Sequence, residues 1–161
     1  MPEFVEADIA GWMALRLTAG AAGIRAIDFD LSRPTDGVRN AANPLLIEAE
    51  RQLRAYFAGE LRRFQLPLDP AGTAFQKRVW GELESIPYGE TRSYSQIAGA
   101  IGSPRAVRAV GAANGANPVP IVVPCHRVIG SSGKLVGYGG GLPLKKRLLE
   151  LEGIGSGYTL A

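Results

Sequence analysis

Ser93-Tyr94-Ser95-Gln96-Ile97-Ala98-Gly99-Ala100-Ile101-Gly102-Ser103-Pro104-Arg105-Ala106-Val107-Arg108-Ala109-Val110-Gly111-Ala112-Ala113 is the stretch on which the fold turns. Ser93 with Gln96 is a capping box, and it opens a short helix through Ile97, Ala98 and Ile101. Gly102-Ser103-Pro104 breaks that helix, and Ser103-Pro104 is expected to cap another from Arg105 to about Ala113. Two short helices joined by a tight glycine-containing turn predict a helix-turn-helix over about 93–113. The second helix is nearly bare, with Arg105 and Arg108 as its only long side chains. Small residues let a backbone come close to another surface. Composition alone suits a buried packing helix equally well; the two arginines after a tight turn favour nucleic acid.

Upstream, Thr73 with Gln76 is a second capping box, and Phe75, Val79, Leu83 and Ile86 form one apolar stripe. A helix therefore precedes the Pro87-Tyr88-Gly89-Glu90 turn. Leu66–Gly72 holds two prolines and a glycine, which places a boundary between a lobe of residues 1–70 and one of 71–161. In the first lobe, Trp12–Leu17 and Ile24–Phe29 read as strands joined through Thr18–Gly23, and Arg33–Asn40 reads as a loop. Asn43 caps a helix that has Pro44 at its first position and Leu46, Ala49, Leu53 and Phe57 at helical spacing, ending at Gly59. Phe64, Leu66 and Leu68 suggest another strand. The expected fold class is α+β, a small N-terminal antiparallel sheet-plus-helix lobe followed by a mainly helical C-terminal lobe containing a helix-turn-helix.

Of the 161 residues, 46% are hydrophobic and 20% charged, a globular composition rather than a disordered one. No apolar run is long enough to cross a bilayer, and the acidic start, Met1-Pro2-Glu3-Phe4-Val5-Glu6, lacks the basic region of a signal peptide. A cytoplasmic location is expected. One Cys and one His exclude an internal disulfide, a two-cysteine redox cycle and a structural zinc site built on Cys and His. The net charge of +3 is unevenly spread. Residues 1–70 carry eight Arg against ten acids, and residues 71–161 carry ten Lys and Arg against five Glu. No acid lies between Glu90 and Glu150, a stretch with Arg92, Arg105, Arg108, Arg127, Lys134, Lys145, Lys146 and Arg147. A one-signed surface of that kind suits a phosphate backbone.

The chemistry centres on Pro118-Val119-Pro120-Ile121-Val122-Val123-Pro124-Cys125-His126-Arg127-Val128-Ile129. A lone Cys is more often a small buried hydrophobe than a nucleophile. Here a His follows directly and basic residues surround it, which favours the thiolate. Adjacent side chains diverge on a strand or a helix, so a water between sulfur and imidazole is more plausible than direct contact. The other ring nitrogen then needs a carboxylate to fix its tautomer, and Glu150 and Glu152 are the only acids after Glu90. Gly137-Tyr138-Gly139-Gly140-Gly141 matches neither G-x-G-x-x-G nor a P-loop, and reads as a turn bringing bare backbone to a flat ligand. Pro143 starts a last helix, Leu144–Glu152, closed by Gly153.

The Pro124–Ile129 segment resembles the active-site signature of the O6-alkylguanine-DNA alkyltransferases. The resemblance extends over Ile86–Thr91, Ser93-Tyr94, Arg105–Asn117, Gly137–Gly141 and Glu150–Gly153, essentially all of residues 72–153. It implies that Cys125 is the acceptor thiol, that His126 acts through a water as its base, and that Glu152 orients His126. It makes Asn117 the tie between recognition helix and active-site segment, and Tyr94 the proton donor to the departing guanine. Tyr138 would line the alkyl pocket, with Pro120 among the substrate-binding positions and backbone near Val128 and Gly139 reading the guanine edge. Arg108 would fill the space of the extruded nucleotide, with Arg105, Ala106, Ala109, Arg92 and Ser93 on the DNA. Small residues such as Ala106, Ala109 and Ala113 suit a minor groove about 6 Å wide. Some relatives carry Ser where this chain has Gly139, and the implied contact is a backbone one. Others bind damage without repair and carry Trp in place of the thiol, so Cys125 favours transfer.

The implied reaction is single-turnover alkyl transfer from O6-alkylguanine, with O4-alkylthymine as a second substrate, without cofactor or metal. The partner is double-stranded DNA bound by a monomer through the minor groove, with cooperativity left open. Two other classes compete. A non-enzymatic helix-turn-helix regulator would not need Cys125, and a thiol hydrolase would turn over repeatedly.

Overall fold

Val5, Ala7 and Ile9 alternate with more exposed neighbours near the start of the chain, and this segment is a strand, β1 (Glu3–Ile9). The computed structural model describes residues 1–133 and 135–154; Lys134, counted above among the basic residues, lies outside them. The chain forms two compact units, Met1–Ala71 and a second from Gly72 onward. The fold is α+β.

In the first unit β1 pairs antiparallel with β2 (Met13–Gly20), and β2 with β3 (Gly23–Asp28). A two-residue β4 (Val38–Arg39) joins the far edge of β1 in parallel, giving the order β3-β2-β1-β4. The register places Val5 opposite Leu17 and Leu17 opposite Ile27, so one face carries a continuous apolar row. Helix α1 (Pro44–Phe57) packs on that sheet with Leu46, Leu53, Tyr56 and Phe57 buried. Asn43 caps it as expected, its side-chain oxygen accepting from the amides of Leu45 and Leu46. Each buried leucine contributes on the order of 2 kcal/mol.

Three readings of this unit are corrected. The strand starting near Trp12 runs on to Gly20, because Thr18 and Ala19 pair regularly with Phe4 and Glu3 while a bulge at Arg25 keeps β3 in step, leaving only Ala21 and Ala22 as the connection. Glu3–Ile9 was not read as a strand, and Val38–Arg39 lies in the presumed loop. Phe64–Leu68 is no strand: Pro67 has no amide to donate, and only Leu68 bridges Ile24. That bridge presses Pro67 onto Gly23, where a Cβ would stand 2.6 Å from the Pro67 carbonyl oxygen and φ is +153°, so glycine is required.

The second unit holds α2 (Ala74–Glu84), β5 (Arg92–Ser93), α3 (Tyr94–Ala100), α4 (Val107–Gly115), β6 (Val128–Ile129) and α5 (Leu142–Leu151). Both expected capping boxes, Thr73 with Gln76 and Ser93 with Gln96, are present. Val79, Trp80, Leu83, Ile97, Val110, Leu148 and Leu149 form its core. The Trp80 indole donates to the Ala113 carbonyl at 2.8 Å, fixing α2 against α4. Helix α4 begins two residues later than expected. Ser103 accepts a turn bond from the Ala106 amide instead of capping the helix, which has no side-chain cap. Helix α5 starts at Leu142 and is stopped by Gly153 at φ +82°.

Candidate active site

Two short elements bring the expected residues together. Parallel pairing sets Arg92 opposite Val128 and Ser93 opposite Ile129, so Tyr94 at the head of α3 lies beside the segment that carries Cys125. That segment arrives through two γ-turns. The Val122 amide donates to the Pro120 carbonyl at 2.9 Å around Ile121, whose φ of 73° is the one positive value at a non-glycine among the described residues. The Cys125 amide then donates to the Val123 carbonyl at 2.8 Å around Pro124. Positive φ at a β-branched residue costs on the order of 1–3 kcal/mol and needs support from its surroundings. Asn117 supplies it. Its side-chain oxygen accepts from the Val119 amide at 3.0 Å and its nitrogen donates to the Val123 carbonyl at 2.8 Å.

Cys125, His126 and Arg127 form a single 3-10 turn, all buried. The imidazole Nε2 lies 2.7 Å from Glu152 Oε2. Burial lowers the His126 pKa, against the pull of Glu152, so the ring is neutral at neutral pH. Nε2 then carries the proton donated to the carboxylate, and Nδ1 carries the free lone pair. No group hydrogen-bonds that buried Nδ1 among the described residues. Burial alone would raise the Glu152 carboxyl, but bonds from His126 and Arg127 override it and bring it to about 2. Arg127 grips the carboxylate with Nε at 2.7 Å and Nη2 at 3.0 Å, while its Nη1 donates to the Ile86 carbonyl at 2.7 Å. The Gly89 amide adds a bond to Oε1 at 3.3 Å. Gly89 sits at φ +82°, and a Cβ there would come within 3.3 Å of the Glu152 carbonyl.

Burial pushes the Cys125 thiol up, opposed by the Asn117 amide and the charge of Lys145. The surroundings therefore do not yield a resting thiolate, as the basic sequence context suggested. The thiol needs a base, and His126 is the next residue.

Lys145 itself is not part of the surface. It is fully buried, and its ammonium donates to the carbonyls of Val128 at 2.7 Å and Val136 at 2.9 Å. Burial lowers it to about 8. It remains mostly protonated at neutral pH and stabilises a charge on Cys125. Lys145→Met is expected to slow alkyl transfer by roughly tenfold and to move the acid limb of the rate–pH profile upward. The uncapped carbonyls should lower stability by about 1–3 kcal/mol. Single-turnover rates against pH, with urea unfolding beside them, check this.

The remaining expected residues fall as follows. The Tyr94 hydroxyl donates to the Val136 carbonyl at 3.1 Å. Burial, then charge on Cys125 and Glu152, holds the Tyr138 phenol well above its ordinary value. Pro120 is buried within the first γ-turn, and Gly139 is exposed. The Val128 amide donates to the Cys125 carbonyl and the Val128 carbonyl accepts from Lys145; a carbonyl keeps a second lone pair for a ligand. Arg105, Arg108 and Ala109 are exposed, and Ala106 and Ser93 are partly so. Ala113, expected on the outer face of α4, is buried beneath Trp80. Arg92 is half-buried and paired with Glu90 at 3.2 Å. Arg127 and Lys145 leave the basic surface altogether.

Sequence reasoning missed the roles of Arg127 and Lys145. Helical spacing held a signal for one of them, since Lys145 shares a stripe with Leu148, Leu149 and Glu152 on α5.

Known proteins resemble this chain in sequence and in fold. Residues 74–154 match the 6-O-methylguanine DNA methyltransferase DNA-binding domain, and residues 14–70 match that family's ribonuclease-like domain. The methylated-DNA–protein-cysteine methyltransferase of Methanosarcina barkeri is 52% identical over 141 residues, covering 84% of this chain and 88% of that protein. The enzyme of the same name from Mycobacterium tuberculosis is 67% identical over 101 residues, 63% of this chain and 61% of that one. The crystal structure of the M. tuberculosis O6-methylguanine methyltransferase superposes with a TM-score of 0.86 at 47% identity, covering 94% of this chain and 93% of that one. M. tuberculosis OGT in complex with DNA gives 0.82 at 49% identity, over 94% and 91%. Fold and sequence together define a DNA-binding methyltransferase of DNA repair. The chain belongs to the 6-O-methylguanine DNA methyltransferase family, and its enzymatic class is methyl transfer from methylated DNA to a protein cysteine.

Proposed function

We propose that this protein extrudes O6-alkylguanine from duplex DNA and transfers the alkyl group irreversibly to Cys125, once per molecule. The observation that carries the reading is the buried row of the chain's one cysteine, a neutral His126 with a free Nδ1, and a Glu152 that fixes its tautomer. The thiol proton passes to Nδ1 through a water. The sulfur attacks the alkyl carbon in line, and the C–O6 bond breaks towards the purine. Tyr94 gives its proton to the purine, which leaves as guanine. Return of the imidazolium proton to Tyr94 closes the balance, so S–H and C–O become S–C and N–H. A thioether has no leaving group that this site activates, which makes the step final.

The exposed side of α4 presents Arg108, Ala109 and Ala112 on a slender helix, with Arg105 exposed in the turn before it. That shape fits the minor groove, with α3 and α4 as the helix-turn-helix and Arg108 as the side chain that replaces the extruded base. O4-alkylthymine offers the same alkyl–oxygen bond and is a second substrate. The protein acts on DNA as a monomer, in the cytoplasm; among the described residues no helix is long and apolar enough to cross a membrane.

Arg108→Ala tests the extrusion step. Filling the gap offsets part of an unstacking cost of a few kcal/mol, so the variant should repair duplex O6-methylguanine at least roughly tenfold more slowly. It should react almost normally with free O6-alkylguanine base, which has no stack to leave. Equal losses on both substrates would sink the role.

A further inference from the structure

Asn114 is a buried polar residue that neither the sequence motif nor the relay above employs. It lies on α4, 4% exposed, three residues after Gly111 and so on the same face. A Cβ at Gly111 would stand 4.0 Å from the Tyr94 ring, so that face packs on Tyr94. The Asn114 amide nitrogen donates to the Cys125 carbonyl at 3.4 Å. Its amide also pulls the Tyr94 phenol pKa down, as a nearby donor does. An amide nitrogen has two protons, one for each partner. The single Tyr94 proton is directed at the Val136 carbonyl, so the phenol oxygen is free to accept from Asn114.

We propose that Asn114 is a positioning residue for Tyr94, its amide holding the phenol oxygen beside the Cys125 backbone and stabilising the charge Tyr94 acquires on giving up its proton. The proposal rests on the reading of Tyr94 as the acid for the leaving purine. When the C–O6 bond breaks, the electron pair goes to the purine and the phenol proton follows, leaving a tyrosinate in a site that disfavours it. Burial and a negative Cys125 both raise the Tyr94 pKa, and the Asn114 amide is the group that opposes them. A donor to a developing anion acts most strongly in the transition state. Asn114 thereby links the two groups that must act together, from the same helix that carries Arg108.

A double-mutant cycle tests the link. Single-turnover methyl transfer from duplex O6-methylguanine is measured for wild type, Asn114→Leu, Tyr94→Phe and the double variant. Leu matches Asn in shape and donates nothing. Asn114→Leu should be about tenfold slower, while in the Tyr94→Phe background it should add almost nothing. Direct alkylation of Cys125 by iodoacetamide, which needs no proton for its leaving group, should be unchanged in Asn114→Leu. Equal slowing in both backgrounds, or equal slowing towards iodoacetamide, would make Asn114 a structural residue and overturn the proposal. Normal transfer by Tyr94→Phe would instead remove the acid role itself, a separate failure. Should Asn114→Leu not fold, Asn114→Ala removes the donor without adding charge and carries the same expectation.

Discussion

Cys125→Ser is expected to bind methylated duplex and gain no mass, whereas the wild-type protein should gain one methyl, located on Cys125. A serine hydroxyl fits the space beside Asn117 and Lys145 but has none of a thiol's nucleophilicity near neutral pH. Loss of transfer should therefore be complete and DNA affinity nearly unchanged. Intact-mass measurement with peptide mapping checks both, and excess methylated DNA checks the count. A second methyl group turned over per molecule would overturn the single-use mechanism and restore the thiol-hydrolase reading. Methyl transfer at another residue would displace Cys125 altogether.

The second large effect is that of Glu152→Gln. The carboxylate is the common anion of His126 and Arg127, all three buried. Gln cannot neutralise Arg127, and breaking a buried pair by removing one partner costs about 3–5 kcal/mol. It also leaves the His126 tautomer undetermined, so transfer at neutral pH should fall by roughly a hundredfold or more. The pH dependence of stability supplies an independent check. A carboxyl held at about 2, against an ordinary 4.5, stabilises the folded state above 4.5 and loses that contribution as pH falls towards 2. Urea midpoints of the wild type should decline through that window, and those of Glu152→Gln should lose that part of the decline. Glu150 is exposed, and Glu150→Gln should change neither quantity. The opposite ranking of Glu150 and Glu152 would show the relay to be misassigned.

How far the sequence could be read depended on whether the governing interaction was local. Capping boxes at Thr73 and Ser93 and the Asn43-Pro44 start are fixed within four residues, and they stand where expected. β1 was missed because its apolar alternation is broken, Phe4 and Val5 both being buried. Ser103 fails as a cap because Ser103–Ala106 closes its own turn first. At the site, Cys125 and His126 were legible from rarity alone. The residues alone left Glu150 and Glu152 open and the resemblance named Glu152; helical phase holds a signal that separates them, since residue 152 continues the stripe of Lys145, Leu148 and Leu149 and residue 150 does not. The interior role of Arg127 was not legible, and that of Lys145 showed only in its place on the same stripe. A basic residue among basic neighbours reads as surface until the carbonyls of Val128, Val136 and Ile86 are seen converging on it.

Cys125 is 4% exposed, and its surroundings keep it protonated. Peroxide and soluble electrophiles react with accessible thiolates, so a covered, protonated sulfur is slow to be oxidised or capped. For a protein used once, as proposed above, this is shelf life. On that reading the same burial that forces the site to carry a base also preserves the molecule's one chance to react until a lesion is in place.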